Sequence, residues 1–138
     1  MSKVTAAVTE IHQYLTFWHV LWIGLGGGFG AALRFSLSQV VRHKGSHWPW
    51  PTWLVNVSGA LVLGAIAAYF NDFGYEPAFF FWELGILGGY TTMSTFAVET
   101  VALAHQRRIG LALGYAISSV FATLAALMLG FTLAGLLS

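Results

Sequence analysis

The chain contains no cysteine, so it can form no disulfide, no thiolate metal site and no thiol nucleophile. Charged residues are also scarce, at 8% of the sequence, whereas soluble domains carry about 25%. The formal net charge of +1 provides no basic surface for nucleic acid. These absences exclude thiol chemistry and argue against both a soluble domain and a nucleic-acid-binding protein.

Hydrophobic residues make up 57% of the 138 residues, and they are concentrated in long runs. A membrane-spanning helix needs about 20 predominantly apolar residues. Four segments meet this requirement, at about residues 17–41, 53–70, 78–104 and 109–137. Residues 1–16 read as a mixed polar lead-in. The sequence predicts an all-α membrane protein with one transmembrane domain over residues 1–138, placed as a multi-pass protein in the cell (inner) membrane.

The size of the chain limits what one copy can enclose. Four helices in 138 residues leave only short loops and no soluble domain. Such a bundle is barely large enough to surround a solvated path. Because most oligomers are symmetric assemblies of identical chains, we expect at least two copies to associate.

Glycine and hydroxyl residues interrupt the third apolar segment, where residues 88–96 read GGYTTMSTF. Within lipid, every backbone N–H and C=O must be paired by the segment itself, by protein or by water. Adjacent glycines and hydroxyl side chains are typical of places where a helix is broken. Broken helices at membrane depth line cavities and bind ions. The sequence predicts that the third helix is broken near its middle and that function lies there.

Glycines in the first segment have the spacing that brings transmembrane helices together. Gly24 and Gly28 form one GxxxG pair, and Gly26 and Gly30 form another. Small residues at this spacing allow helix backbones to approach closely in lipid. We expect at least one of these pairs to lie in a helix–helix contact.

Arg34 and Asn56 lie inside apolar spans, and each of these polar residues has two possible roles. Arg34 either faces protein, water or a counter-ion, or extends its charged end to the headgroups. Asn56 either joins helices by hydrogen bonding or presents its NH2 donors to an anion. The sequence leaves both pairs of alternatives open.

Helical spacing gives two of the segments a distinct face. In the third segment, Met93 and Phe96 share one face through their i, i+3 spacing. In the fourth, Tyr115, Ser119 and Thr123 recur every four residues and form a stripe of hydroxyl groups. Met93 and Phe96 can equally well serve only in packing. The hydroxyls of the stripe can instead form hydrogen bonds to the backbone of their own helix.

The chemistry of these polar groups favours a small anion or a neutral solute. Hydroxyl and amide groups can donate hydrogen bonds to anions as well as to water. Glu83 and Glu99 are expected near the two ends of the third segment, so no carboxylate lies near the middle of a span. A proton-coupled cation carrier would normally need one there. The sequence therefore predicts that the path of the solute is lined by hydrogen-bond donors.

Three motifs resemble those of the small fluoride channels, the Fluc or CrcB family. Residues 88–99, GGYTTMSTFAVE, closely resemble the family signature GGxTTFSTFxxE. Residues 26–34, GGGFGAALR, resemble its GGxGAxxR opening, and residues 53–59, WLVNVSG, resemble its T-x-x-x-N-x-x-G helix. The likeness extends from about residue 20 to the C-terminus, with the motifs in the family's order.

This resemblance implies a passive, fluoride-selective channel and not an enzyme. It implies an antiparallel homodimer with dual topology, two fluoride pores and a central structural sodium ion (Na+). The backbone carbonyls of Gly89 and Thr92 would hold the sodium, and Arg34 would be a structural charge within the membrane. The anion pathway would be formed by Asn56, Met93, Phe96, Tyr115, Ser119 and Thr123.

The chain departs from the family pattern at one pathway position and in its charge distribution. Met93 stands where the family has the first of two phenylalanines. Lys and Arg are also unevenly distributed, since the first and third loops hold Arg42, Lys44, Arg107 and Arg108, whereas the opposite side has only Lys3. The positive-inside rule favours these loops in the cytoplasm. An oppositely oriented paralogue is therefore an alternative to the homodimer.

Two other classes of function compete with a fluoride channel. A small dual-topology, proton-coupled multidrug transporter would also have four helices and two copies, but the first span here contains no carboxylate. A structural membrane subunit would leave the hydroxyl stripe and the broken helix unexplained. The sequence does not determine the conduction rate, gating or orientation.

Overall fold

The computed structural model describes residues 17–41, 46–70 and 80–137, and the regular elements within these ranges are helices. The polar lead-in at residues 1–16 lies outside the described residues, and so do Lys3, Arg42 and Lys44. In chain order, the elements are α1 (Phe17–Val41), α2 (Trp50–Phe70), α3 (Phe80–Leu87), α4 (Gly88–Tyr90), α5 (Met93–His105) and α6 (Ile109–Leu137).

Three of these helices are long and apolar enough to cross a membrane. They comprise Phe17–Val41, Trp50–Tyr69 and Ile109–Leu136. A helix of 20 residues is about 30 Å long, which matches the hydrocarbon thickness of a bilayer. Most of their large apolar side chains are exposed on the single chain, as expected for surfaces that face lipid or another subunit. The protein is a multi-pass membrane protein.

Helix α2 begins at Trp50, three residues before the predicted start at residue 53. Pro51 follows directly. Proline is tolerated in the first turn of a helix, where its missing N–H would have no intrahelical partner. Helix α2 therefore starts slightly before the predicted segment, because its proline is compatible with the first turn.

The third predicted segment contains three helical pieces. Helix α3 has the wide π-helical form, and the short helix α4 continues from it to Tyr90. Thr91 and Thr92 then have extended backbones, with φ −76° and ψ 159° at Thr91 and φ −149° and ψ 118° at Thr92. Helix α5 starts at Met93 and has 13 residues. None of the three pieces alone has the length of a membrane span.

Helices α2 and α6 run side by side in the same direction and approach closely at two glycines. A Cβ added at Gly64 would overlap the carbonyl oxygen of Leu127, and one added at Gly130 would overlap that of Leu61. Each glycine therefore lies against the backbone of the other helix. This reciprocal arrangement fixes the distance between the two helices and their register.

Helix α1 packs along α3 and α4, and glycines again form the contact. Gly26 and Gly30 are buried. A Cβ added to Gly26 would lie 2.8 Å from the carbonyl oxygen of Phe81, and one added to Gly30 would overlap the carbonyl group of Ile86. Gly24 and Gly28 have no such neighbour within 4 Å. The GxxxG prediction is thus confirmed for the second pair, which faces α3.

The tight turn predicted between the third and fourth segments is present at Gln106–Arg108. Arg107 has a left-handed backbone, with φ 59°. Its N–H donates to the Ala104 carbonyl, and the Arg108 N–H donates to the Leu103 carbonyl, both at 3.0 Å. These bonds pair carbonyl groups at the end of α5, as helix C-terminal motifs commonly do.

The glycine contact predicts a sharp difference between two alanine substitutions in α6. Gly130→Ala should force α2 and α6 apart, and overpacking of this kind typically costs about 1–3 kcal/mol. Thermal unfolding in detergent, followed by gel filtration of the heated sample, should show a lower midpoint by several degrees.

Gly110→Ala is the matched control, because an added Cβ meets nothing within 4 Å there. Alanine is also the better helix former. That variant should unfold at or slightly above the wild-type temperature. Equal midpoints for the two variants would contradict the proposed close contact.

Candidate functional site

The extended residues between α4 and α5 are paired by a side chain from α2. Asn56 accepts a hydrogen bond from the Thr92 N–H through Oδ1 at 2.9 Å, and its Nδ2 donates to the Thr92 carbonyl oxygen at 3.0 Å. A single amide thus pairs both backbone polar groups of a residue that has left the helix. Asn56 therefore joins helices, which was one of its two predicted roles.

Threonine side chains complete the helix ends on both sides of the break. The Thr91 hydroxyl and N–H both donate to the Leu87 carbonyl, at 2.9 and 3.0 Å. The Thr92 hydroxyl accepts from the Thr95 N–H at 3.2 Å and therefore caps the start of α5. Threonine is favoured at such a position because its oxygen replaces a missing intrahelical acceptor. The hydroxyl residues of the motif thus end one helix and begin the next.

Arg34 approaches the break from α1. Its Nη1 donates to the Thr91 carbonyl oxygen at 3.5 Å, a long bond by usual criteria. Arg34 also borders a cavity of about 400 Å³ on this side of Thr92, together with Ser38, Thr52 and Thr95. The guanidinium therefore faces protein groups, in agreement with the first of the two alternatives raised by the sequence.

A groove of about 390 Å³ lies on the other side of Thr92, and we call it the central groove. Helices α2, α3, α5 and α6 contribute to its walls, with the helix break at its middle. Its lining consists of Asn56, Gly59, Ala60, Leu63, Glu83, Leu87, Gly88, Thr91, Thr92, Met93, Phe96, Ser119, Val120 and Thr123. The groove is open on the surface of the single chain, and Met93 on its wall is 74% exposed.

Five of the six residues predicted for the anion pathway line this groove. They are Asn56, Met93, Phe96, Ser119 and Thr123. Tyr115, the sixth, is fully buried beside it, with its ring centroid 5.3 Å from that of Phe96. Of the two residues predicted for sodium, Thr92 lines the groove, whereas Gly89 packs against the backbone of Gly27 in α1.

The hydroxyl stripe on α6 is divided in its bonding. Thr123 donates to the Ser119 carbonyl at 2.7 Å, so this hydroxyl bonds to its own helix. Ser119 is 6% exposed, and its Oγ has no hydrogen-bond partner among the described residues. A buried hydroxyl without a partner carries a free-energy cost, so Ser119 is available to a ligand in the groove.

Tyr115 belongs to a three-residue network next to the groove. Its hydroxyl donates to Oε2 of Glu99 at 2.8 Å, and the Thr52 hydroxyl donates to Oε1 of the same carboxylate at 2.9 Å. Glu99 is therefore held between α2 and α6. Two hydroxyl donors that could bind an anion are thus bound to a carboxylate of the protein.

The groove also contains a carboxyl group in its wall. Glu83 of α3 lines it, and Oε1 of this side chain is buried without a hydrogen-bond partner among the described residues. The prediction of a lining that consists of donors is therefore wrong. Glu83 does lie near the start of the third segment, as expected, but α3 has the wide π-helical form, which was not foreseen, and Glu83 on this helix lines the groove.

Thr52, Glu83 and Glu99 are the site residues that sequence reasoning missed. A signal existed for Glu99, because it lies three residues after Phe96 and shares its helix face. Thr52 stands one turn before Asn56 in α2, so it also had helical spacing to a predicted residue. For Glu83, no local pattern pointed to the groove.

The described residues contain no group of three or more His, Cys, Asp or Glu side chains that could hold a metal ion. The groove instead combines amide, hydroxyl and backbone groups with one carboxyl group, one aromatic ring and one thioether.

The model of the family described as "CrcB-like protein, Camphor Resistance (CrcB)" matches residues 21–131. The "Fluoride-specific ion channel FluC 2" of Nitrobacter hamburgensis is 41% identical over 116 residues, which cover 82% of this chain and 94% of that relative. The "Fluoride-specific ion channel FluC" of Rhodopseudomonas palustris is 40% identical over 116 residues, with 82% and 94% covered.

A third relative, the "Fluoride-specific ion channel FluC" of Francisella tularensis, is 37% identical over 118 residues, which cover 81% of this chain and 91% of the relative. The family match includes the helix break and every residue of the central groove. Identity at this level over most of both chains extends well beyond the three motifs. The chain belongs to the CrcB-like family.

Proposed function

We propose that this protein is a passive fluoride-selective channel. The observation that carries the proposal is the central groove, in which predicted pathway residues from three helices meet at the helix break. The relatives named as fluoride-specific ion channels support it, because they align over more than four fifths of this chain. The protein is not an enzyme.

Fluoride is small and strongly hydrated, so a selective path must replace its water with donors. Ser119 supplies a free hydroxyl, and Asn56 supplies a second amide N–H beyond the one used by Thr92. The Phe96 ring contributes an electropositive edge. Fluoride would pass from the groove along Phe96 towards Tyr115, whose hydroxyl is bound to Glu99. Selectivity by close-range donors of this kind requires no ATP or redox cofactor.

A proton-coupled multidrug transporter is not favoured. No carboxylate lies in α1, whose charged residue is Arg34. The carboxylate of Glu99 is already bound by two hydroxyl donors and lies away from the lining of the groove.

We further propose that two copies assemble as an antiparallel dimer, with α3, α4 and α5 forming one interrupted fourth span in each. The central groove is open on an otherwise apolar surface, and two polar atoms in its wall, Ser119 Oγ and Glu83 Oε1, have no hydrogen-bond partner among the described residues. Lipid would leave such groups without partners, whereas a second chain would enclose them. A homodimer with dual topology and a pair with an oppositely oriented paralogue both satisfy this requirement.

The proposed structural sodium ion would lie at the break, held by backbone carbonyls of Gly89 and Thr92. Oxygen ligands suit a hard cation, and a carbonyl oxygen has two lone pairs. The Thr92 oxygen uses one of them to accept from Asn56 and keeps the other. The end of α4 leaves further carbonyls without intrahelical donors. Each chain would supply two carbonyl ligands, and the second copy would complete the coordination of the sodium ion. The dimer would lie in the inner membrane of the cell.

The first prediction concerns ion selectivity. Liposomes that contain the purified protein should release fluoride rapidly when an ionophore short-circuits the membrane potential, and chloride far more slowly. Electrode recordings of each anion measure the two rates. Equal release of both anions would refute selectivity, and release that requires a proton gradient would refute a passive channel.

The second prediction concerns Asn56. Asn56→Asp should abolish fluoride flux and leave a folded dimer by gel filtration. The carboxylate keeps the acceptor for the Thr92 N–H but replaces donors with a negative charge, and repulsion between anions is weakly screened at low dielectric.

Ser58→Ala is the matched control for this substitution. Ser58 lies on the same helix, bonds to Tyr90 at 2.8 Å and does not line the groove. The Ser58→Ala protein should conduct fluoride at a rate near that of the wild type. Wild-type fluoride flux in Asn56→Asp would mean that the residue only joins helices.

The third prediction concerns Met93. Met93→Phe should keep or raise fluoride flux, because it adds a ring with an electropositive edge to the groove wall. Met93 is 74% exposed on the single chain, so a ring there is not confined by its own chain. Met93→Ala should cost less flux than Phe96→Ala, since a thioether provides little directional charge.

Electrode flux and gel-filtration profiles of all three variants provide the measurement. A Met93→Phe protein that dissociates, together with an unimpaired Phe96→Ala channel, would show that this face is for packing only.

A further inference from the structure

Among the described residues that line the central groove, Glu83 is the only ionisable one. It lies on α3, on the groove wall that continues through Leu87 and Gly88 to the helix break. An anion in the groove therefore shares the same cavity as a carboxyl group. The other carboxyl nearby, Glu99, is bound by Thr52 and Tyr115 and is absent from the lining.

Glu83 lacks the hydrogen-bond partners that Glu99 has, and the described lining of the groove brings no cationic side chain to it. Its Oε1 is buried and lacks a hydrogen-bond partner among the described residues, in contrast to both oxygens of Glu99. The helices packed on α3 carry four titratable groups: His19, Arg34, Tyr69 and Tyr90. None of these four lines the groove.

Two of these groups have identified partners away from Glu83. Arg34 donates to the Thr91 carbonyl, and the Tyr90 hydroxyl bonds to Ser58. Tyr115 of α6 is bound to Glu99. The charge on Glu83 therefore acts on the groove without a compensating cation among the groups described.

We infer that the protonation state of Glu83 controls anion entry: the ionised carboxylate suppresses fluoride flux, and the protonated carboxyl permits it. The inference rests on the proposed fluoride channel and adds to it a dependence on pH. At a separation of about 10 Å and an effective dielectric constant of about 20, the repulsion between two unit charges corresponds to roughly a tenfold change in occupancy. A protonated carboxyl has no such repulsion and adds an O–H donor.

The direction of the pH dependence follows from the charge. Raising the pH ionises the carboxyl, so fluoride flux should fall as the pH rises. Lowering the pH restores the neutral form and with it the flux. A lining of hydroxyl and amide donors alone would give no such dependence, because these groups keep their charge state across this range.

The experiment compares wild-type protein with Glu83→Gln in liposomes at about pH 4.5 and about pH 8.5, so that the lower pH favours the protonated carboxyl and the higher pH favours the ionised one. Vesicles without protein give the background at each pH, because hydrofluoric acid crosses lipid directly. Wild-type efflux should be about tenfold faster at the lower pH. Glu83→Gln should be fast at both values, since its amide has the same shape without the charge.

Two further variants separate charge from shape. Glu83→Met removes both the charge and the donor, and it should also lose the pH dependence. Glu83→Asp retains an ionisable group that is one methylene shorter, and it should keep the dependence. Gel filtration of each variant shows whether the dimer is intact.

Strong efflux with the same pH dependence in the wild type, Glu83→Gln and Glu83→Met would overturn this inference and leave the channel intact. Wild-type efflux that does not change with pH would overturn it as well. Absence of fluoride efflux from every protein at both pH values would overturn the proposed function itself, and the inference with it.

Discussion

A backbone amide that leaves a helix inside a membrane must find another hydrogen-bond partner, and the Asn56–Thr92 pair meets this requirement. Without it, the extended backbone at Thr92 would leave both a donor and an acceptor exposed to an apolar environment. The interruption between α4 and α5 therefore depends on a side chain from α2. The direction in which α5 departs, and hence the position of Phe96 on the groove wall, depends on the same pair.

The two carboxyl groups near the groove have opposite environments, and this contrast gives them different effects on an anion. Glu99 receives two hydroxyl donors and so has its charge compensated by hydrogen bonds. Glu83 has a buried oxygen without a partner among the described residues. A carboxylate of the first kind competes with an anion for donors, whereas one of the second kind repels it directly. The first kind acts beside the groove, and the second acts within it.

Local sequence patterns predicted much of the site, because its parts are encoded within single segments. The GGYTTMSTF run indicated the irregular backbone at residues 91–92, and i, i+4 spacing indicated the stripe that contains Ser119. The Thr52–Glu99–Tyr115 network joins three elements, so it depends on tertiary packing that spacing cannot reveal. Glu83 lies near the start of the third segment, as expected, but spacing did not reveal that it lines the groove, because a π-helix has more residues per turn than an α-helix and turns side chains to a different face.

The glycine contacts between α2 and α6 also fix how deep the site lies. Gly64 and Gly130 each oppose the backbone of the other helix, so neither helix can slide along its partner without bringing a side chain into that backbone. Asn56 and Ser119 are held on these same two helices, and each is separated from its glycine by a set number of residues. Inserting one residue between Asn56 and Gly64 would rotate the amide by about 100° relative to the contact. The number of residues between each glycine and its polar residue therefore sets the position of the polar group, and the identity of the intervening residues is less constrained than their number.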